Sequence, residues 1–375
     1  MIKKTVHLIY PASIFLDTNP WSIGNNVVKA LKNDFCVKTY LWTSLGKISP
    51  NKGDILIGHC NSNPFTIFQR SLRNENWSKV VLLQPYNEDP MQLSYLYNVI
   101  DKCDYFLAIC GDYWFKRISN SKFKKWKPKM IQQNLGINQK LYPFIKKKFN
   151  KKGKRKFLYI GNDYAYNNFA KNLPYLKKIS ESLGIKYFAT AGNKKVGSIR
   201  HFGWLNFQDK KSLDILKNYD FLIQTSTNDA NPSTILEAIS WGLIPVATKQ
   251  CGYSKENSII NIPINNLKKT KKILNYLQHV SANSLKKMQQ NNNNLLRKKY
   301  NWSNFQKTIF KTIIFKKRNL KKINYSLSEK LFFQKNKKKS RNYFMNLDMI
   351  FIILKSNISF FVKKFFFKKN LLKFK

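Results

Sequence analysis

A repeating rhythm constrains this chain more than any single motif: short apolar runs, each closed by a polar cluster and followed by a helix-like stretch. Residues 5–10 (TVHLIY), 35–41, 54–58 (DILIG), 80–83, 105–110 and 129–133 are such runs. Helical spacing of apolar residues fills the gaps at 24–31, up to Arg73, at 91–100 and at 111–118. The rhythm restarts at 157–160 and continues through 185–190, 221–224, 244–247 and 258–262. Helical patterns there cover 173–183, 208–218, 266–280, 284–300 and 304–315. Runs that are apolar throughout suit strands covered on both faces, and strands separated by helices argue for parallel pairing. Polar clusters after successive strands then gather along one edge of each sheet, where doubly wound sheets bind ligands.

A chain of 375 residues has room for two such units. The charged break KKKFNKKGKRK at 146–156 separates them. The expected organisation is a first Rossmann-like unit over 1–145, a second over 146–315 and a basic aromatic tail over 316–375. The net charge is +49. Its lysine-rich, asparagine-rich character is in part a matter of overall composition, but its distribution is uneven. Residues 1–150 carry 22 basic and 9 acidic side chains, 151–315 carry 28 and 8, and 316–375 carry 18 and 2. Such charge attracts anionic membranes or nucleic acid without specifying a fold. In the tail, the longest uncharged apolar run, 349–354, is too short for a spanning helix of ~20 residues. Phe360, Phe361 and Phe365 to Phe367 alternate with lysine pairs. That pattern fits a segment lying on an anionic leaflet or a disordered basic tail. The five cysteines are scattered without CxxC spacing, so neither a zinc site nor a disulfide framework is expected, and a reducing cytoplasm fits. The N-terminal apolar run reads as a first buried strand rather than a signal peptide.

The most informative stretch is 229–248, DANPSTILEAISWGLIPVAT. Asp229 precedes a turn, Asn231-Pro232-Ser233-Thr234, that runs into a helix carrying Glu237; Gly242 and a further strand follow. A helix N-terminus opening at the end of a parallel strand is a ready anion site. In the first half, polar residues follow the strands in the same way: His59 after 54–58, and Gln84, Tyr86 and Asn87 after 80–83. Gly24 opens the first helical pattern.

With these residues in view, the chain resembles the retaining glycosyltransferases of the GT-B fold, in particular family 4 (glycosyl transferases group 1). The resemblance rests on Leu158-Tyr159-Ile160-Gly161, Gly203-Trp204, the strand 219–223, the block 229–248 and Tyr300-Asn301-Trp302. In the first half it rests on 54–59 and on Gln133-Asn134-Leu135-Gly136-Ile137. It covers about residues 5–315 and implies two tandem doubly wound domains facing across a cleft, an acceptor domain followed by a nucleotide-sugar domain. The implied activity is a hexosyltransferase-like transfer from a nucleotide sugar to a lipid-linked or envelope glycan, with retention and with no metal or cofactor. By the same resemblance, Glu237 would bind the ribose hydroxyls and Asp229 would contact the donor sugar. The amides of Ser233 and Thr234 would hold the diphosphate, approached from the other side by the backbone at Gly24. Gly161, Asn162, Asn231, Pro232 and Tyr253 would complete the donor site. His59 and Gln84 would stand beside Asp229 as catalytic groups. The family pattern carries an arginine where this chain has Asn162 and a lysine near Asn167; Lys171 is the nearest cation.

Two functions follow. One is a cytoplasmic glycosyltransferase at the inner face of a membrane, its basic tail on the anionic surface and with no specific nucleic-acid partner. The other is a chain of the same shape without catalysis, held on membrane or nucleic acid by charge.

Overall fold

The computed structural model describes residues 3–10, 23–72, 74–164, 170–253, 256 and 258–344. Within them lie two six-stranded sheets. The first contains β1 (Thr5–Tyr10), β2 (Cys36–Leu41), β3 (Ile55–Gly58), β4 (Lys79–Pro85), β5 (Tyr105–Ile109) and β6 (Met130–Gln133). Its order is β2-β1-β3-β4-β5-β6. The second contains β7 (Phe157–Ile160), β8 (Phe188–Ala191), β9 (Arg200–His201), β10 (Phe221–Gln224), β11 (Ile244–Thr248) and β12 (Ile260–Ile262). Its order is β12-β11-β10-β7-β8-β9. Every pairing is parallel, with Val6 opposite Ile55 in the first sheet and Phe221 opposite Phe157 in the second. The strand order reverses between β1 and β3 and again between β7 and β10. Such reversals open a crevice at the carboxyl ends of the strands.

The central strands are buried along their length, as continuous apolar runs require. One apolar cluster joins the inner faces of both sheets, bridged by Leu135, Ile137, Tyr142 and Tyr300. Two further clusters fill the outer faces, one per unit. The run expected over 185–190 starts late: the helix Leu173–Leu183 stops at Gly184, and Ile185–Tyr187 form a 3-10 turn before β8. Arg200 and His201 add a short edge strand beside β8.

The charged break is not a free linker. Lys146 Nζ lies 3.1 Å from Asp220 Oδ1, and all but 2% of the lysine side chain is covered. Arg155 approaches the same carboxylate at 3.9 Å. The backbone N–H groups of Asn150 and Lys156 also donate to Asp220, at 2.8 and 2.9 Å. One buried aspartate thus fastens both ends of the segment to the second sheet.

After the second unit the chain crosses back. Helix Trp302–Ile314 buries Phe305, Ile309 and Ile313 and packs on helix Ile23–Leu31 of the first unit. Gln306 Nε2 donates to Asn26 Oδ1 at 2.9 Å. Lys79, at the start of β4, donates to the carbonyls of Thr312 and Ile313 at 3.1 and 2.5 Å, a cation on the last turn of a helix. Residues 302–314 therefore lie on the first unit, not the second as their place in the sequence suggested. The first stretch of the expected tail is also packed there. Helix Leu327–Phe344 lies across the first unit, with Phe333 buried against Tyr97 and Trp126 at ring separations of 5.4 and 5.9 Å. The aromatic-basic sequence from 345 to 375 lies outside the described residues.

The units meet where Gly111 and Tyr113 of the first donate backbone N–H groups to Ala230 O and Gly252 O of the second, at 3.0 and 3.3 Å. A Cβ on Gly111 would sit 2.0 Å from Gly252 O, so only glycine permits this approach. Lys299 adds an ionic tie, reaching Asp112 at 3.1 Å and Glu256 at 2.5 Å.

Candidate functional site

The site is built by the second sheet. After β10 the chain passes through buried Thr225 and Ser226 and turns at 227–232. The Asp229 N–H donates to Gln250 O at 3.0 Å. Pro232, extended at φ −62° and ψ 123°, sets the start of helix Ser233–Trp241. Ile235, Leu236, Ala238, Ile239 and Trp241 are buried. That anchorage leaves the first turn, with its amide donors, facing the crevice. Beneath the turn, the buried Tyr253 hydroxyl donates to Asn231 Oδ1. Tyr253 therefore supports the loop from below rather than touching a ligand, which corrects its expected role. Asn231 Nδ2 is buried without a partner.

A pocket of about 620 Å³ opens at the ends of β7 and β8 and the start of this helix. Gly161, Asn162 and Gly192 form one wall, Pro232, Ser233, Thr234 and Glu237 another. The first wall is backbone because it has to be. A Cβ on Gly192, whose φ is +136°, would lie 2.0 Å from Gly161 O. Asn162 Oδ1 is buried and unpartnered.

Two charged groups face this space. Lys171 lines it, and its ammonium pairs with Asp229 Oδ2. The two side chains are only 20% and 17% exposed. Burial alone would lower the lysine pKa, but the adjacent Asp229 carboxylate outweighs it and raises it, so the cation is retained. Glu237 behaves differently. Burial lifts its carboxyl to about 7, against the opposing effect of the Ser233 hydroxyl. The pocket thus offers helix amides, a fixed ammonium and a carboxylate poised near neutrality.

Asp229 itself is not among the lining residues; its carboxylate holds Lys171 instead. The charge anticipated at position 162 or near 167 comes from position 171. Residues 165–169 lie outside the described residues, Asn167 among them. The signal was present, because Lys171 is the only cation between Gly161 and the helix that starts at Leu173. The aromatic residues Tyr142, Tyr164, Trp204 and Phe207 also line the pocket. Trp204, noted only as part of a motif, is 78% exposed and offers a stacking face at the rim.

The first-unit candidates lie elsewhere. His59 follows β3, its Nδ1 is 3.2 Å from Cys60 O, and its ring meets Trp42 edge-on at 4.8 Å. Burial lowers its pKa to about 4, which leaves a neutral imidazole near pH 7. Gln84 is buried, with Nε2 donating to the Tyr95 hydroxyl at 2.5 Å and Oε1 accepting from Cys60 N at 3.3 Å. With both amide ends engaged it ties β4 to the turn after β3. Gly24 lies in the first turn of helix Ile23–Leu31 and is buried; the loop before it, 11–22, is outside the described residues. Neither His59, Gln84 nor Gly24 lines the 620 Å³ pocket. Among the described residues, no three His, Cys, Asp or Glu side chains gather as a metal site, and no helix is long and apolar enough to cross a membrane.

No family model matches the chain, and no curated protein matches it. Solved structures do. The glycosyltransferase WaaG, involved in lipopolysaccharide biosynthesis, is 12% identical over 83% of this chain and 100% of its own, with a TM-score of 0.54. An alpha-glucosyltransferase in complex with UDP-glucose and DNA containing an abasic site is 13% identical over 84% of this chain and 100% of its own, TM-score 0.52. TarM from S. aureus, in complex with Fondaparinux, alpha-GlcNAc-glycerol and UDP, is 13% identical with a TM-score of 0.52. The match covers 68% of this chain but spans only 55% of TarM. These likenesses establish the fold: the chain has the GT-B architecture.

Proposed function

We propose that this chain is a glycosyltransferase that uses a nucleotide-sugar donor. The observation that carries the reading is the convergence of a helix N-terminus, Lys171 and Glu237 on one pocket at the strand-order reversal. UDP or UDP-glucose in the TarM and alpha-glucosyltransferase complexes supports it. In this reading the Ser233 and Thr234 amides and the Lys171 ammonium hold the diphosphate. Glu237, as carboxylate, accepts the ribose hydroxyls, and Trp204 flanks the base. Transfer breaks the bond between the anomeric carbon and the phosphate oxygen, joins that carbon to the acceptor's hydroxyl oxygen, and passes the hydroxyl proton to the departing diphosphate. The main electrostatic task is to stabilise the departing diphosphate, and amides plus one fixed ammonium address it without a metal. We assign retention at the anomeric carbon and a lipid-linked or envelope glycan as acceptor. WaaG's role in lipopolysaccharide biosynthesis favours that class.

A thermal-shift screen with UDP, GDP, UDP-glucose, UDP-GlcNAc and GDP-mannose tests the reading. A saturable shift with one nucleotide family, lost in Lys171→Met, is expected. No shift with any of them sinks it.

A second observation concerns partners. On helix Leu327–Phe344, Leu327 and Leu331 are 74% and 56% exposed, one turn apart and beside Lys330. Exposed leucines among lysines suit an anionic leaflet better than a nucleic-acid backbone. Co-sedimentation with anionic vesicles that is abolished by Leu331→Glu supports peripheral attachment. Retention on duplex DNA in place of vesicles would support the nucleic-acid reading instead, for which the DNA-bound neighbour is the precedent.

A further inference from the structure

Apart from Tyr142 the pocket is lined by the second unit, yet the turn behind it is gripped by the first. Trp114 is almost fully buried, and its indole Nε1 donates to the backbone carbonyl of Asp229 at 2.7 Å. On either side, Asn87 Nδ2 donates to Asn228 O at 3.3 Å and Gly111 N–H to Ala230 O at 3.0 Å. Three consecutive carbonyls of the second unit thus accept from the first. The Asp229 carboxylate in turn holds Lys171, the lining cation. We infer that Trp114 is a positioning residue: from the opposite unit it fixes the Asp229 turn and, through it, the aim of Lys171 into the pocket.

The Gly111–Gly252 contact makes this dependence conditional on the units being together. Gly111 has an ordinary backbone conformation, φ −77° and ψ 170°, so alanine fits the first unit on its own. Only the approach of Gly252 forbids it. Gly111→Ala is therefore a wedge that parts the units without breaking either, and it should reproduce the loss of the Trp114 N–H.

The inference rests on the proposed diphosphate role of Lys171, and the test separates the two. In the full chain, Trp114→Phe keeps one aromatic ring and removes the donor. Two measurements need no nucleotide: amide hydrogen exchange in peptides spanning 111–113, and acetic anhydride labelling of Lys171 followed by mass spectrometry. Both should quicken about tenfold in Trp114→Phe and in Gly111→Ala, the scale of one lost hydrogen bond. Rates that match the unmodified chain in both variants overturn the inference. UDP affinity then tests the relay. Trp114→Phe should weaken it about five- to tenfold, yet add nothing in a Lys171→Met background. A purely structural tryptophan would give additive losses, and additivity would also overturn the inference. If the unmodified chain binds no nucleoside diphosphate, the function reading fails while exchange and labelling still decide the positioning.

Discussion

Replacing Lys171 with methionine keeps most of the side chain and removes the only charge it brings to the pocket. Its pair with Asp229 is 20% and 17% exposed, so solvent screens it only in part. A charge-assisted contact to a diphosphate at such a site contributes about 1.5–3 kcal/mol. UDP should therefore bind Lys171→Met about 10- to 150-fold more weakly. The substitution also strips Asp229 of its counter-charge and leaves a carboxylate behind the pocket wall, where it repels the ligand. Lys171→Met with Asp229→Asn should recover part of the loss. Asp229→Asn alone should weaken UDP binding about five- to tenfold, as Trp114→Phe does, because the carboxylate that aims Lys171 is gone even though it does not itself line the pocket. Isothermal titration with UDP, on proteins matched by circular dichroism, reads all four corners of the cycle. A Lys171→Met protein that binds UDP within about twofold of the unmodified chain would refute the reasoning, and would return the phosphate role to the amides alone.

Glu237 gives a pH signature. Its folded carboxyl is raised from 4.5 to about 7, so between these values the folded chain keeps a proton the unfolded chain has lost. Stability therefore falls as pH rises through that window, and Glu237→Gln should be more stable than the unmodified chain by ~2 kcal/mol at pH ~8, measured by denaturant titration. UDP-glucose, whose diphosphate has no proton titrating there, should bind more tightly as pH rises through about 7, and Glu237→Gln should lose that dependence in titration calorimetry. Asp220→Ala strands Lys146 and Arg155, both 2% exposed, and should cost ~3–5 kcal/mol in thermal or urea unfolding. Phe333→Ala should cost ~3 kcal/mol locally, seen as faster tryptic cleavage at Lys330 and Lys335 with UDP affinity unchanged.

Much of this architecture is legible because its signals are local. Six-residue runs such as TVHLIY need neighbours on both faces, and proline before Ser233 with glycine after Trp241 brackets a helix whatever surrounds it. The acidic turn and the helix N-terminus follow from the same local grammar. What could not be read depends on which distant segments meet. Gln84 looks like a cleft residue until Tyr95 and Cys60 close around its amide. Lys171 sits ten residues beyond Gly161, and only the folded turn brings it to Asp229. Tyr253 reads as a loop aromatic, but a buried partner at Asn231 draws it under the site. Burial also separates otherwise similar ionisable groups: the same desolvation that neutralises His59 lifts Glu237.

The return helix has a consequence for how the molecule is made. Lys79 waits for carbonyls 233 and 234 residues further along the chain, and helix Ile23–Leu31 waits for Trp302–Ile314. A nascent chain emerges N-terminus first, so the second sheet is complete before the first has its full cover. The apolar face of helix Ile23–Leu31 stays unroofed until residues 302–314 have been added. Long-range closure of this kind is slow and leaves sticky surface in the interim. A fragment ending near residue 145 would be permanently in that state. The unit that begins the sequence thus receives its last covering helices only after the second sheet has been synthesised.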